Sequence, residues 1–176
     1  MTSWLNSLSN LFSKSTPDKP LLKHIERESV TRIVQIGIGD GSRGSNLIST
    51  AAKTSRDRRI SYTGIDLFEA SEGGLGIKQA HQLLHPLGAD VRLVPGNAQV
   101  ALTRCANELR GTDLVVIADS ESAAGIDQVW HLVHRMLHKE SQVWVEQTDG
   151  TFECLLVPEV TAKMMANQRQ GRRKAA

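Results

Sequence analysis

The sequence predicts a doubly wound α/β domain, and three observations carry that prediction. From residue 31 onward, short apolar runs alternate with segments of helical periodicity. The runs are nearly continuous in apolar residues, DLVVIAD (113–119) most clearly, as strands covered on both faces require. The links between them are short, so right-handed crossovers give an open, mostly parallel sheet of about six strands with helices on both faces.

Each element follows in order. LLKHIERE (21–28) reads as a helix leading into a first strand at Ile33, Val34 and Ile36. SNLISTAAK places Leu47, Ile48, Ala51 and Ala52 on one helical face, and RRISYTGIDLF is the second strand. GIKQAHQLLHPLG puts Ile77, Ala80, Leu84 and Leu87 on a stripe that ends at Pro86 and Gly88. DVRLVPG is a third strand, stopped by Pro95-Gly96. AQVALTRCANELRG carries Ala98, Leu102, Cys105 and Leu109 at helical spacing, before the fourth strand DLVVIAD. IDQVWHLVHRML follows as an amphipathic helix, then SQVWVEQ and TFECLLV as strands five and six, and a polar helix over roughly 159 to 168. The organisation expected is a helical extension at 1–29, the α/β domain at 30–160, and a polar helix and basic tail at 161–176.

Composition narrows the classes. The 176 residues, 40% hydrophobic and 23% charged, suit one globular domain that buries roughly two thirds of its unfolded surface. No apolar stretch reaches the ~20 residues that span a bilayer. The start, MTSWLNSLSNLFSKS, lacks the basic end and unbroken apolar core of a secretory signal. Cys105 and Cys154 make no disulfide framework, so a reduced, cytoplasmic setting is expected. The net charge of +2 falls to −2 once Arg169, Arg172, Arg173 and Lys174 of the tail are set aside. With no basic body and only seven Phe, Trp and Tyr residues, a nucleic-acid surface is not expected. Leu5, Leu8, Leu11 and Phe12 form an amphipathic segment whose one cation is Lys14, better suited to packing on protein than on anionic lipid.

Doubly wound sheets bind ligands beyond the carboxyl ends of their strands, at the switch in strand order. Those ends carry GIGDG, DLFE, PGNAQ, ADS and EQTDG. In the first, Gly37, Gly39 and Gly41 let the backbone turn off strand one and approach a ligand, with a helix N-terminus behind them. A dinucleotide loop requires GxGxxG directly after the strand. Counted from Gly37, the sixth position is Ser42; the pattern occurs instead at Gly39, Gly41 and Gly44, two residues late.

The run VQIGIGDG resembles the first motif of the class I S-adenosylmethionine-dependent methyltransferases. The ordered turns that follow extend the resemblance over roughly residues 30 to 147. It implies a Rossmann-like methyltransferase fold that binds S-adenosylmethionine, with the Gly37–Gly41 loop on the methionine portion, Asp66 on the ribose hydroxyls and Asn97 beside the adenine. Asp119, after strand four, would orient the acceptor. DLVVIADS followed by SQVWVEQ is most similar to the catechol-type O-methyltransferases, where such residues bind a divalent cation. Asp119 and Glu146-Gln147 stand at those places, so Mg²⁺ is conceivable, although no metal ligand is assigned.

The sequence departs from that pattern at three points. Gln35 stands where the family has an acidic residue, HKES replaces a glycine turn before strand five, and the family's final strands are cut to one, TFECLLV. A missing last strand leaves a sheet edge that a second copy can cover, so a homodimer through that edge or the N-terminal helix is expected. His131, His134 and His138, like His81 with His85 and His24, read as solvated helix faces, and both cysteines as inert thiols. Gly73, Gly74 and Gly76 form a loop that either closes over ligand or only connects. The leading expectation is a methyltransferase acting on an oxygen of a small molecule. A non-catalytic scaffold that kept the fold, or an NAD-binding module, are the alternatives.

Overall fold

β1 (Arg32–Ile36), buried from Ile33 to Ile36, lies in the interior of a six-stranded sheet, with a strand on each side. In this computed structural model residues 17–55, 58–70, 75–118 and 125–174 are described. β1 pairs in parallel with β2 (Ile60–Asp66) on one side and with β4 (Thr112–Ile117) on the other. β2 continues to β3 (Ala89–Pro95), and β4 to β5 (Leu137–Glu146), both in parallel. β6 (Phe152–Leu156) then runs antiparallel to β5, giving the order β3-β2-β1-β4-β5-β6. The direction of travel reverses between β1 and β4, so the crevice beyond their carboxyl ends is the switch point.

Period-two alternation sorts the strands' side chains between two apolar layers. Ile33, Tyr62, Leu114, Val116 and Trp144 pack under Leu21 and Ile25 of α1 (Lys19–Glu28), Leu47, Ile48 and Ala51 of α2 (Ser42–Thr54) and Leu84 of α3 (Ile77–Leu84). Val34, Ile36, Ile65, Val115 and Val143 face the opposite layer. There α4 (Ala98–Cys105), α5 (Ile126–Met136) and α6 (Val157–Lys174) contribute Leu102, Trp130, Val133 and Val160. Pro20 fits the first turn of α1, where its missing N–H costs nothing, and Leu21 and Ile25 one turn apart reach full burial.

Two stretches differ from the sequence reading. The HKES segment is no turn: β5 starts at Leu137, and its pairing with β4 slips from Thr112↔Leu137 to Leu114↔Gln142, so residues 138–141 bulge out. The bulge aims His138 Nε2 at Asp113 Oδ1, 2.9 Å away, while Ser141 Oγ donates to the Thr112 carbonyl at 2.7 Å. His138 is thus a strand residue paired with a carboxylate, not part of a solvated helix face. The final strand is the antiparallel one, turned back through Asp149-Gly150, and α6 runs on well past the expected 159–168. Among the described residues no helix is long and apolar enough to cross a membrane.

Candidate functional site

The loop after β1 is built by hydrogen bonds that its sequence dictates. Gly37, Gly39 and Gly41 have φ of 85°, 60° and 81°, a region that disfavours other residues. Gly37 N–H extends the pairing with β2 by donating to the Ile65 carbonyl at 2.8 Å. Asp40 Oδ1 then accepts from Ser42 N at 2.9 Å and Ser42 Oγ at 2.6 Å, bonds that hold its carboxyl below the usual carboxylate range. A Cβ on Gly41 would press on the tip of the Leu83 side chain of α3, and its φ of 81° disfavours a wider residue at the start of α2.

Asp66 anchors this loop from the end of β2. Its Oδ2 accepts from Ile38 N at 2.6 Å and Gly39 N at 3.1 Å, and its Oδ1 from Phe68 N at 3.3 Å. Phe68, fully buried, sits at a φ of 50°, a conformation that costs a bulky residue on the order of 1–3 kcal/mol. Gln35 works from the opposite side. Its Nε2 donates to the Gly37 carbonyl at 2.7 Å, and its Oε1 accepts from the Tyr62 hydroxyl at 2.9 Å, all in the dry interior. The amide therefore does what a carboxylate could not: it supplies a donor to a carbonyl and an acceptor to a hydroxyl at once. Burial, with the Asp66 charge nearby, pushes the Tyr62 hydroxyl well above its ordinary range, so it stays a donor. Gly44 makes room for that hydroxyl, which a Cβ there would meet at 2.7 Å. The third glycine of the late GxGxxG pattern thus has a packing reason of its own.

Beside the loop opens a cavity of about 350 Å³, lined by Gly37, Ile38, Gly39, Asp40 and Ser42 together with Asp18, Arg43 and Glu146. Arg43, in the first turn of α2, reaches back between two carboxylates. Its Nε donates to Asp18 Oδ1 at 2.8 Å, and its Nη2 and Nη1 to Glu146 Oε1 and Oε2 at 3.1 and 3.3 Å. Its carbon lies 4.9 Å from the centre of the Phe152 ring. Burial opposes the guanidinium charge, but the bonds and charges of Asp18 and Glu146 outweigh it, and the net shift is upward.

Of the sequence candidates, the structure brings Gly37 and Gly39 to the cavity wall, places Gly41 at the start of α2, and sets Asp66 against the outside of the loop. Asn97 lies apart from the cavity as the N-cap of α4, its Oδ1 accepting from Val100 N at 3.0 Å. Asp119 and loop residues 71–74 lie outside the described residues, as do residues 1–16 with their amphipathic segment. Glu146, considered as a cation ligand, pairs with Arg43. Asp18 and Arg43 had not been singled out. One signal was legible: a cation in the first turn of a helix opposes the dipole, and such a residue usually answers to a local anion. His81 and His85 are exposed and stack on each other with ring centres 5.0 Å apart, as solvated side chains can. Cys105 is buried and Cys154 partly so, and burial pushes both thiols up, consistent with inertness.

The glycine loop and the acidic cavity meet at the switch point of an open α/β sheet. Comparison with solved structures specifies the fold further. The precorrin-6y C5,15-methyltransferase of Geobacter metallireducens GS-15 matches with a TM-score of 0.51 and 16% identity, over 85% of this chain and 70% of that one. MnmC2 of Aquifex aeolicus matches with a TM-score of 0.51 and 12% identity, over 75% of this chain and 47% of that one. The present chain thus spans about half the length of the second. This protein has the class I methyltransferase fold. No protein-family model matches the sequence, and no curated protein is significantly similar to it.

Proposed function

We propose that this protein binds S-adenosylmethionine in the cavity beside the glycine loop and transfers its methyl group to an oxygen of a small molecule. The observation that carries this reading is the charge of the cavity. Among the described residues, Asp18, Asp40 and Glu146 line it with Arg43 as the one cation, and Asp66 already holds the Ile38 and Gly39 N–H groups from behind. A dinucleotide would need those N–H groups for its diphosphate and would meet carboxylates instead. A ligand carrying a sulfonium cation is attracted to the same surroundings.

The bound cofactor would supply a methyl group on positively charged sulfur; the chain binds and orients. The Gly37–Gly41 loop is assigned to the methionine portion. Asp66, at the end of β2, is assigned to the ribose hydroxyls. With Asn97 Oδ1 given to the N-cap, its amide N–H groups would serve the adenine ring. Asp119, which follows β4 in the sequence, is assigned to orienting the acceptor. Alignment of this kind can lower a barrier by roughly 7–11 kcal/mol. A catechol-type arrangement with Mg²⁺ would require Glu146 to leave Arg43. The expected homodimer would use the outer edge of β6.

One observation favours a non-catalytic reading: Gln35 and Asp66 are both committed to the loop backbone. A thermal-shift titration with S-adenosylhomocysteine, with NAD as control, separates the cases. At a hundred times its dissociation constant a ligand adds about 2.7 kcal/mol, very roughly 5–10 °C for a domain of this size. A saturable shift with S-adenosylhomocysteine alone, followed by methyl transfer in an acceptor screen with and without Mg²⁺, is the expected result. Binding without transfer to any acceptor would favour the scaffold, and a shift with NAD alone would overturn the reading.

A further inference from the structure

At the edge of the sheet opposite β6, the apolar layer of α1, α2 and α3 is left half covered. β3 is the outermost strand there, and α3 packs along it. Between the two lies an open groove of about 520 Å³, lined by Ile77, His81 and Leu93 with Lys78 and Gln82. It shares no lining residue with the cavity beside the glycine loop. Ile77 and Leu93 pack on the buried cluster of Ile38, Phe68 and Ala80, yet each is only partly buried itself. The chain outside the described residues carries a surface that matches. Trp4, Leu5, Leu8, Leu11 and Phe12 in residues 1–16 fall within about a third of a helix's circumference at 3.6 residues per turn. No side chain before Lys14 is charged, so burying that stripe strips water from no side-chain charge. The point where this segment joins the fold is also suitable. Asp18 is tied to Arg43 in the first turn of α2, and α2 packs on both α1 and α3. Sixteen residues reach about 24 Å as a helix and about 50 Å extended, against roughly 10 Å for the width of one intervening helix.

We propose that residues 4–12 dock as an amphipathic helix in the groove between α3 and β3 of the same chain, laying their apolar stripe on Ile77, His81 and Leu93. A helix this short does not persist alone in water, so the segment needs the groove as the groove needs a cover. Anchors at helical spacing in an apolar groove are a recurring mode of recognition. The tether at Asp18 holds the segment at an effective concentration on the order of millimolar, which favours the chain's own segment over that of a second copy. The inference does not depend on what the cavity binds.

The test is amide hydrogen exchange on the full chain, read by mass spectrometry over residues 4–12 and over α3. In the wild type the segment should exchange at least about tenfold more slowly than an unstructured peptide. Leu8→Asp should remove that protection and speed exchange in α3, while β1 and β4 keep theirs. His81→Asp and Ile77→Asp should each release the segment from the other side. His81 is exposed and an aspartate suits the first helical turn at 77, so both variants are expected to fold; if Ile77→Asp does not, His81→Asp decides. Arg59→Gln, which removes an exposed pair with Asp90, is the control and should keep full protection. Exchange of residues 4–12 at the unstructured rate in the wild type would overturn the proposal. Protection that survives both groove variants would place the segment elsewhere and overturn it equally. Protection that disappears on dilution from about 50 to 1 μM would assign the groove to a second copy instead.

Discussion

The two ends of the sheet use the same device for different purposes. At the carboxyl end, Asp66 Oδ2 grips the consecutive N–H groups of Ile38 and Gly39. At the amino end, Asp113 Oδ2 grips those of Thr31 and Arg32 at 2.8 and 2.9 Å and also takes the Thr31 hydroxyl at 3.0 Å. Burial opposes the Asp113 charge, but these bonds and the one from His138 win, and its carboxyl titrates below the usual range. Each aspartate fixes where β1 begins or ends. Around Asp113 the partners are strand backbone and an imidazole, which close the sheet end. Around Asp66 they belong to a glycine loop beside an open cavity with three more carboxylates and Arg43. A satisfied carboxylate is therefore no mark of a ligand site by itself.

Substitution of the two aspartates tests this contrast most strongly. Asp66→Ala and Asp113→Ala each strand backbone donors, and each should cost about 2–4 kcal/mol in denaturant unfolding. Only Asp66→Ala should abolish the thermal shift with S-adenosylhomocysteine. Loss of binding in both would mean that the site depends on the whole sheet and not on the loop. Next in size is Tyr62→Phe, which leaves the Gln35 carbonyl oxygen without its donor and should cost about 1–3 kcal/mol, with ligand affinity lowered only as far as the loop loosens. A change of affinity without any change of stability would show that Tyr62 acts on ligand directly.

The smallest effect is a pH dependence. His24, in α1 with its ring 6.1 Å from Trp144, has its pKa lowered from 6.5 by burial, partly offset by Glu28. The folded state therefore favours the neutral ring, and the unfolded chain binds the proton more readily. Stability is full above pH 6.5 and falls as the pH drops through the lower folded value. Melting temperature measured from pH 7.5 down to 5 should decline less in His24→Gln than in the wild type. Equal slopes would assign the decline to other groups.

The parallel sheet, the succession of turns along the chain and the glycine loop were legible in the sequence because they rest on local causes. Continuous apolar runs require two covered faces, and glycines permit positive φ at the loop. Leu47, Ile48 and Ala51, or Val129, Trp130 and Val133, declare their buried faces by spacing alone. The bulge before β5 was not legible, since no periodicity marks a slip that only the partner strand defines; it turned His138 from a presumed surface residue into a partner of Asp113. Gln35 could be seen to differ from the family's acid, but not why.

The sequence by itself thus determined the class of fold and the glycine loop that follows its first strand, since backbone conformation and burial depend on neighbours along the chain. Tertiary structure alone decided which charges meet. Asp18, Arg43 and Glu146 stand 25 and 103 residues apart along the chain and converge only when α1, α2 and β5 pack on one sheet. Electrostatic pairing depends on distance in space, and that distance is set by the sheet's winding, which no short stretch of residues contains.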